Sequence, residues 1–139
     1  MCQIIAYFIS QDELYREGFK RVLEITIPQL NVKTFNHVPI VESDVSLVIF
    51  EPIFYGEQRN LEEIARLTKS DHTRICVLLE SNDENELLEV LSYKVHGVLY
   101  KSKSTLEIVN GIKRVIKVGH YIPSDVGKVL LDEYQHKEW

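Results

Sequence analysis

Two periods of apolar residues take turns along this chain. Short runs that alternate or stay apolar throughout read as strands, and stretches with apolar residues every three to four positions read as helices. Gln3 to Ile9 is the first strand, with Ile4, Ile5, Phe8 and Ile9 nearly continuous. Ser10-Gln11-Asp12-Glu13 then has the pattern of a capping box, in which the serine oxygen accepts the third helical amide and the glutamate reaches back. The helix it opens is expected to gather Leu14, Gly18, Phe19, Val22 and Leu23 on one side and Arg16, Glu17, Lys20 and Arg21 largely on the other, and to end at Pro28. Val32 to Phe35 is a short alternating strand, followed by a weak helical pattern across His37 to Glu42. Val45 to Phe50 is apolar on both faces, as a central parallel strand must be. Glu51-Pro52 stops it, because proline has no amide hydrogen for the ladder.

Gly56 gives a loop, and Leu61, Ile64, Ala65 and Leu67 mark the apolar side of a further helix. Arg74 to Leu79 is the next buried strand. Ser81-Asn82-Asp83-Glu84 repeats the capping box ahead of a helix bearing Leu87, Leu88 and Leu91, and Gly97 to Tyr100 makes a fifth strand. A third box, Ser104-Thr105-Leu106-Glu107, opens a helix with Ile108, Val109, Ile112, Val115 and Ile116 on its apolar side. Gly119 closes it, since glycine tolerates the left-handed conformation that ends helices. A last amphipathic segment runs from Pro123-Ser124 toward Tyr134. Five strand–helix units with short connections, plus one extra helix, predict a parallel sheet covered on both faces. No repeat, low-complexity stretch or internal boundary interrupts the pattern, and His120 to Ser124 is the one candidate linker.

Composition narrows the function classes. A chain of 139 residues suits one domain, and a hydrophobic share of 45% rules out wholesale disorder. Apolar runs such as Leu47-Val48-Ile49-Phe50 fall far short of the ~20 residues that span a bilayer. With no signal-like start at Met1-Cys2-Gln3, the expectation is a cytoplasmic protein without membrane contact. Cys2 and Cys76 are too few for a disulfide framework or a cysteine zinc site, and Cys76 reads as a small buried hydrophobe. The histidines, at 37, 72, 96, 120 and 136, show no metal spacing, and His96 reads as simply preceding the fifth strand. No glycine-rich phosphate loop follows the first strand, so neither metal nor cofactor is expected. A net charge of -5 argues against the whole chain being a DNA-binding surface. DNA contact is expected only through a domain or partner outside it.

In an open parallel sheet, chemistry gathers outside the carboxyl ends of the strands. The positions there are Ser10 and Gln11, Glu51 and Pro52, Leu79 and Glu80, and Tyr100 and Lys101. Leu14-Tyr15-Arg16-Glu17-Gly18-Phe19-Lys20-Arg21-Val22-Leu23-Glu24 resembles the first helix of response-regulator receiver domains of the NarL/FixJ (LuxR-type) subfamily. The resemblance continues through Leu47-Val48-Ile49-Phe50-Glu51, Gly97-Val98-Leu99-Tyr100-Lys101 and Gly119-His120-Tyr121-Ile122-Pro123-Ser124-Asp125-Val126, and covers residues 3 to 136. It implies an α/β fold, a doubly wound five-stranded parallel sheet of the flavodoxin/CheY type. The implied strand order is 2-1-3-4-5, with helices on both faces and an extra C-terminal helix. Residues 1–119 would form the receiver-like domain and 120–139 a linker and extra helix, with no DNA-binding domain in this chain.

Receivers of that family are phosphorylated by a histidine kinase on an aspartate ending the third strand, with magnesium bound. Two carboxylates after the first strand hold the metal, a hydroxyl ending the fourth strand bonds the phosphoryl group, and a lysine ending the fifth supplies a point charge. Here Ser10 and Gln11 stand at the acidic pair, Glu51 at the acceptor and Leu79 at the hydroxyl. Lys101 alone is retained. The expectation is therefore a non-enzymatic, non-phosphorylatable receiver with no catalytic residue, in which Glu51 pairs with Lys101 and imitates a phosphorylated aspartate in one fixed state. Two alternatives stand beside it. One is a phosphoacceptor working through Glu51 with Asp12 and Glu13 on magnesium. The other is a small-ligand sensor lined by Ser10, Gln11, Glu51 and Lys101. The expected partner is a protein, in a homodimer or a heterodimer with a related regulator. Candidate interface charges are Arg16 and Lys20 on the first helix, Lys113, Arg114 and Lys117 before Gly119, and Glu86 and Glu89 on the acidic helix.

Overall fold

Along the chain, β1 (Ile4–Ile9) leads through α1 (Glu13–Thr26) to β2 (Leu30–Phe35) and β3 (Val45–Phe50). A two-residue antiparallel pair, β4 (Phe54–Tyr55) and β5 (Gln58–Arg59), precedes the short α2 (Glu63–Leu67). Then come β6 (Arg74–Leu79), α3 (Glu84–Leu91), β7 (Gly97–Tyr100), α4 (Thr105–Val118) and α5 (Ser124–Lys137). The structure, a computed structural model, describes residues 3–52, 54–55, 58–80 and 83–137. Gly56, Ser81 and Asn82, expected in a loop and a capping box, lie outside the described residues, as does Cys2.

The five longer strands pair in parallel in the order β2-β1-β3-β6-β7, which counted along the chain is 2-1-3-4-5. This is the doubly wound CheY-like arrangement. Alternation along each strand divides the core in two. Ala6, Phe8, Leu47, Ile49, Cys76 and Leu78 face α1 and α4. Tyr7, Ile9, Val48, Phe50, Val77 and Leu79 face the other layer, where Ile64 of α2, Leu87 and Val90 of α3, and Val126 of α5 cover them. Cys76 is fully buried, and burial pushes its thiol up to about 12, so it behaves as an inert hydrophobe.

Several expectations need correction. Helix α1 starts at Glu13 with Asp12 as its N-cap, whose Oδ1 accepts the Tyr15 amide at 3.1 Å. Ser10 cannot cap, because its amide still donates to Phe35 O in the sheet ladder and its hydroxyl is fully buried. The row Tyr15, Phe19, Leu23 faces the sheet, and Leu14, 85% exposed, and Gly18 turn to solvent. No helix forms across His37 to Glu42. Pro39 pushes Val38 toward extended backbone, and β-branched Ile40 and Val41 add nothing to helix propensity. Val38 and Val41 still pack on the core from this irregular strap, so the second crossover carries no helix. In α2, Ala65 is exposed. In α3 the cap is Asp83, which accepts the Glu86 amide at 3.0 Å, and buried Val90 joins Leu87 while Leu88 and Leu91 are half-buried.

Other local signals act as read. Ser104 caps α4 by accepting the Glu107 amide at 3.2 Å, and Gly119 ends it at φ 105°. His96 does precede β7, and its Nδ1 also accepts the Ile75 amide at 3.1 Å. The expected linker is stitched to the sheet: Tyr121 bridges Gly97 in parallel, its amide donating to His96 O and its carbonyl accepting from Val98. Among the described residues, no helix is long and apolar enough to cross a membrane.

Candidate functional site

The carboxyl ends of β1, β3 and β7 bring Ser10, Glu51 and Lys101 together. Each follows directly on a strand whose side chains are almost all buried, so the sheet fixes their backbones. The Glu51 amide donates to Ile9 O and the Lys101 amide to Leu79 O, extending the ladder one residue past each strand. Glu51 is 9% exposed as a residue, and its side chain 11%. Ser10 Oγ donates to its Oε1 at 2.6 Å, and Lys101 Nζ lies 2.9 Å from Oε2. The lysine meets Oε2 as an ionic contact rather than as an aligned hydrogen bond. A carboxylate this buried is tolerated because both oxygens face positive or donating groups.

Lys101 has further company. Glu80 Oε1 stands 3.8 Å from its ammonium, and the Tyr15 ring centroid lies 4.3 Å away, a cation–π contact. Tyr15 is held by a stacked contact with Phe19 (5.5 Å) and an edge contact with Phe8 (6.0 Å). Burial, with the Glu51, Asp12 and Glu80 carboxylates behind it, pushes the Tyr15 phenol up to about 12, so it stays neutral. The residue pattern of the strand ends misses Tyr15. Its signal lies in helical spacing, four residues before Phe19.

The remaining site residues are placed as follows. Gln11 is exposed next to the site, and Leu79 is fully buried in the core, offering no hydroxyl. Ser10 Oγ also accepts the Asp12 amide at 3.3 Å. Magnesium asks for several oxygen ligands carrying negative charge. Ser10 and Gln11 bring none, exposed Asp12 gives one oxygen to the helix start, and both Glu51 oxygens face protein groups. This donor set does not fit the ion, and no group of three metal-ligating side chains occurs among the described residues.

The interface candidates separate. Arg16 is half-buried and donates from Nη1 to Ser10 O at 2.7 Å, so it braces the site rather than standing free for a partner. Lys20 is half-buried. Lys113, Arg114 and Lys117 are exposed on α4, on one face of the sheet. Glu89, exposed, and Glu86, half-buried, belong to α3 on the opposite face. Tyr100, 2% exposed, keeps its hydroxyl without a hydrogen-bond partner among the described residues, and burial with Asp125 nearby pushes it up to about 12.

No family model matches the chain, and comparison with curated proteins finds no sequence relative. Solved structures do match its fold. The isolated REC domain of RcsB from Salmonella enterica serovar Typhimurium, with phosphomimetic beryllofluoride, superposes at TM-score 0.73 and 16% identity, over 91% of this chain and 98% of that one. A LuxR-family DNA-binding response regulator from Silicibacter pomeroyi gives 0.71 and 16%, over 88% and 98%. A structure of two RcsB dimers bound to two parallel DNAs gives 0.70 and 17%, over 92% of this chain and 68% of the longer one. The chain thus has the receiver-domain fold.

Proposed function

We propose that this chain is an atypical receiver domain, held in one state without phosphate, that serves transcription regulation as a non-enzymatic protein-interaction module. The observation that carries the reading is the closed trio at the strand ends. Glu51 stands at the acceptor position with one oxygen on Ser10 and the other on Lys101. Protein groups thereby occupy the place where the resembling family uses an aspartate, a metal and a phosphoryl group. Leu79 leaves no hydroxyl to carry a signal from it.

Residues 1–119 form the receiver-like unit in this reading, with 120–139 as a C-terminal extension. The partner is a second copy or a related regulator, and DNA is reached only through a domain or partner outside this chain. The likeness in fold to RcsB, whose dimers are seen bound to DNA in a chain longer than the part matched here, favours that reading. A displaced phosphoacceptor is the weaker reading, because Ser10 and Lys101 already face both oxygens of Glu51.

The test is an amide NMR titration with magnesium and beryllofluoride. The expected result is no shift near Glu51, Lys101 or α3. Concerted shifts there would overturn the fixed-state reading and make Glu51 a working acceptor.

A further inference from the structure

At the amino ends of the strands, opposite the Glu51 trio, two cavities of about 270 and 530 Å³ meet at Ile4 and Ile116. Together they form one groove between the last turns of α1 and α4. Its floor is apolar, built from Ile4, Ile27, Pro28 and Ile116. Its rim carries Lys113 and Lys117, one helical turn apart on α4, with His72 and Arg74 at the far end. No carboxylate lines it among the described residues, although the whole chain has 21 acidic residues against 16 basic ones.

Two helix C-termini converge here, and their partial negative charge ordinarily repels an anion. At both ends some of the last-turn carbonyls are already engaged. Arg74 Nη1 donates to Val115 O at 2.6 Å and to Ile116 O at 2.8 Å. On α1, Thr26 Oγ1 donates to Val22 O, and the Ile27 amide donates to Leu23 O. With the Arg74 guanidinium set against the α4 terminus, that end repels an anion less, and Lys113 and Lys117 add positive charge at the rim. An apolar floor under a cationic rim matches a molecule with a hydrocarbon body and one carboxylate, and the larger cavity lies in the size range of small-molecule sites.

We propose that this groove binds an amphipathic organic acid, its hydrocarbon on Ile27, Pro28 and Ile116 and its carboxylate between Lys113 and Lys117. The assignment is independent of the state of the Glu51 trio, which lies at the other end of the sheet.

Decanoate, kept below its micelle-forming concentration, is the probe, with decanol as its uncharged counterpart, and amide NMR is the readout. Saturable shifts confined to Ile4, Gln29, Ile116 and their neighbours are expected with decanoate and much weaker ones with decanol. The exposed double variant Lys113→Glu/Lys117→Glu should weaken decanoate roughly tenfold, the scale of two partly screened ion pairs. Lys69→Glu/Lys94→Glu, with the same change in net charge, should leave it unchanged. Absence of saturable shifts, equal binding of decanol, or equal loss in both double variants would each overturn the proposal.

Discussion

The two ends of the sheet handle charge in opposite ways. At the carboxyl end, ionised groups answer one another: Glu51 faces Ser10 and Lys101, and Lys101 in turn faces Glu80 and Tyr15. At the amino end, Arg74 is engaged at a helix terminus, and Lys113 and Lys117 stand around an apolar floor. Charge satisfied within the fold stabilises one arrangement and leaves little to offer a ligand. Charge set over unfilled apolar surface has the opposite balance. Resemblance to phosphorylated receivers draws attention to the carboxyl end, yet by this criterion the amino end is the more receptive one.

The largest expected effect breaks the closed end. Lys101→Met leaves a nearly buried carboxylate with no cation against Oε2. Urea unfolding should show a loss of about 2–4 kcal/mol, somewhat under that of a fully buried pair. Adding Glu51→Leu to make the apolar pair Glu51→Leu/Lys101→Met should recover most of that loss, because the penalty lies in the orphaned charge. A double variant no more stable than Lys101→Met would show that the pair matters through specific packing instead. Next in size, Ser10→Ala strands Oε1 and should cost about 1–3 kcal/mol, measured the same way.

These residues also show what the sequence discloses and what it hides. The sheet was legible because the central strands are mostly buried runs of four to six residues, β2 at the edge alternates, and Gly97–Tyr100 falls where the pattern puts it. The Glu51–Lys101 pairing was legible too, since a parallel sheet gathers its carboxyl ends along one edge and the long lysine and glutamate side chains span the one strand between them. The cap of α1 was not. Ser10-Gln11-Asp12-Glu13 holds two residues able to cap, and the choice of Asp12 depends on Glu51, 41 residues from Ser10, drawing the serine hydroxyl inward. Tyr15 was hidden for another reason: it lies on a helix, away from the strand ends where chemistry is expected. The groove was beyond reach, because Ile4, Pro28 and Lys117 converge only through tertiary packing.

The amino end supplies a smaller test. Arg74→Met removes the guanidinium from Val115 O and Ile116 O while keeping its hydrocarbon stem. A loss of about 1–2 kcal/mol is expected in urea unfolding, from the charged hydrogen bonds and the helix terminus together. The same variant sharpens the contrast between the ends: with the α4 carbonyls unanswered, decanoate should bind more weakly although Lys113 and Lys117 are intact. Unchanged stability would mean that water serves those carbonyls as well as Arg74 does.

The smallest effect concerns His96, beside Arg74 at the amino end of β7. The Ile75 amide donates to Nδ1, so that nitrogen must carry a lone pair and the neutral ring holds its proton on Nε2. Burial, with the Arg74 cation second, holds the imidazole below its usual range. In the unfolded chain the ring takes up a proton near pH 6.5. Below that value the unfolded state therefore binds more protons than the folded one, and stability rises with pH across the interval. His96 contributes fully above about pH 6.5, and its contribution declines as pH falls toward the lower folded-state value. His96→Asn offers Oδ1 as a substitute acceptor and has no charge to gain. Urea midpoints of the two proteins should run parallel above about pH 6.5 and separate below it, with the wild type falling faster. Parallel curves throughout would mean that the ring titrates alike in both states, so that the Ile75 bond gives way without cost. The carboxyl end would then remain the part of the fold where a single polar contact decides stability.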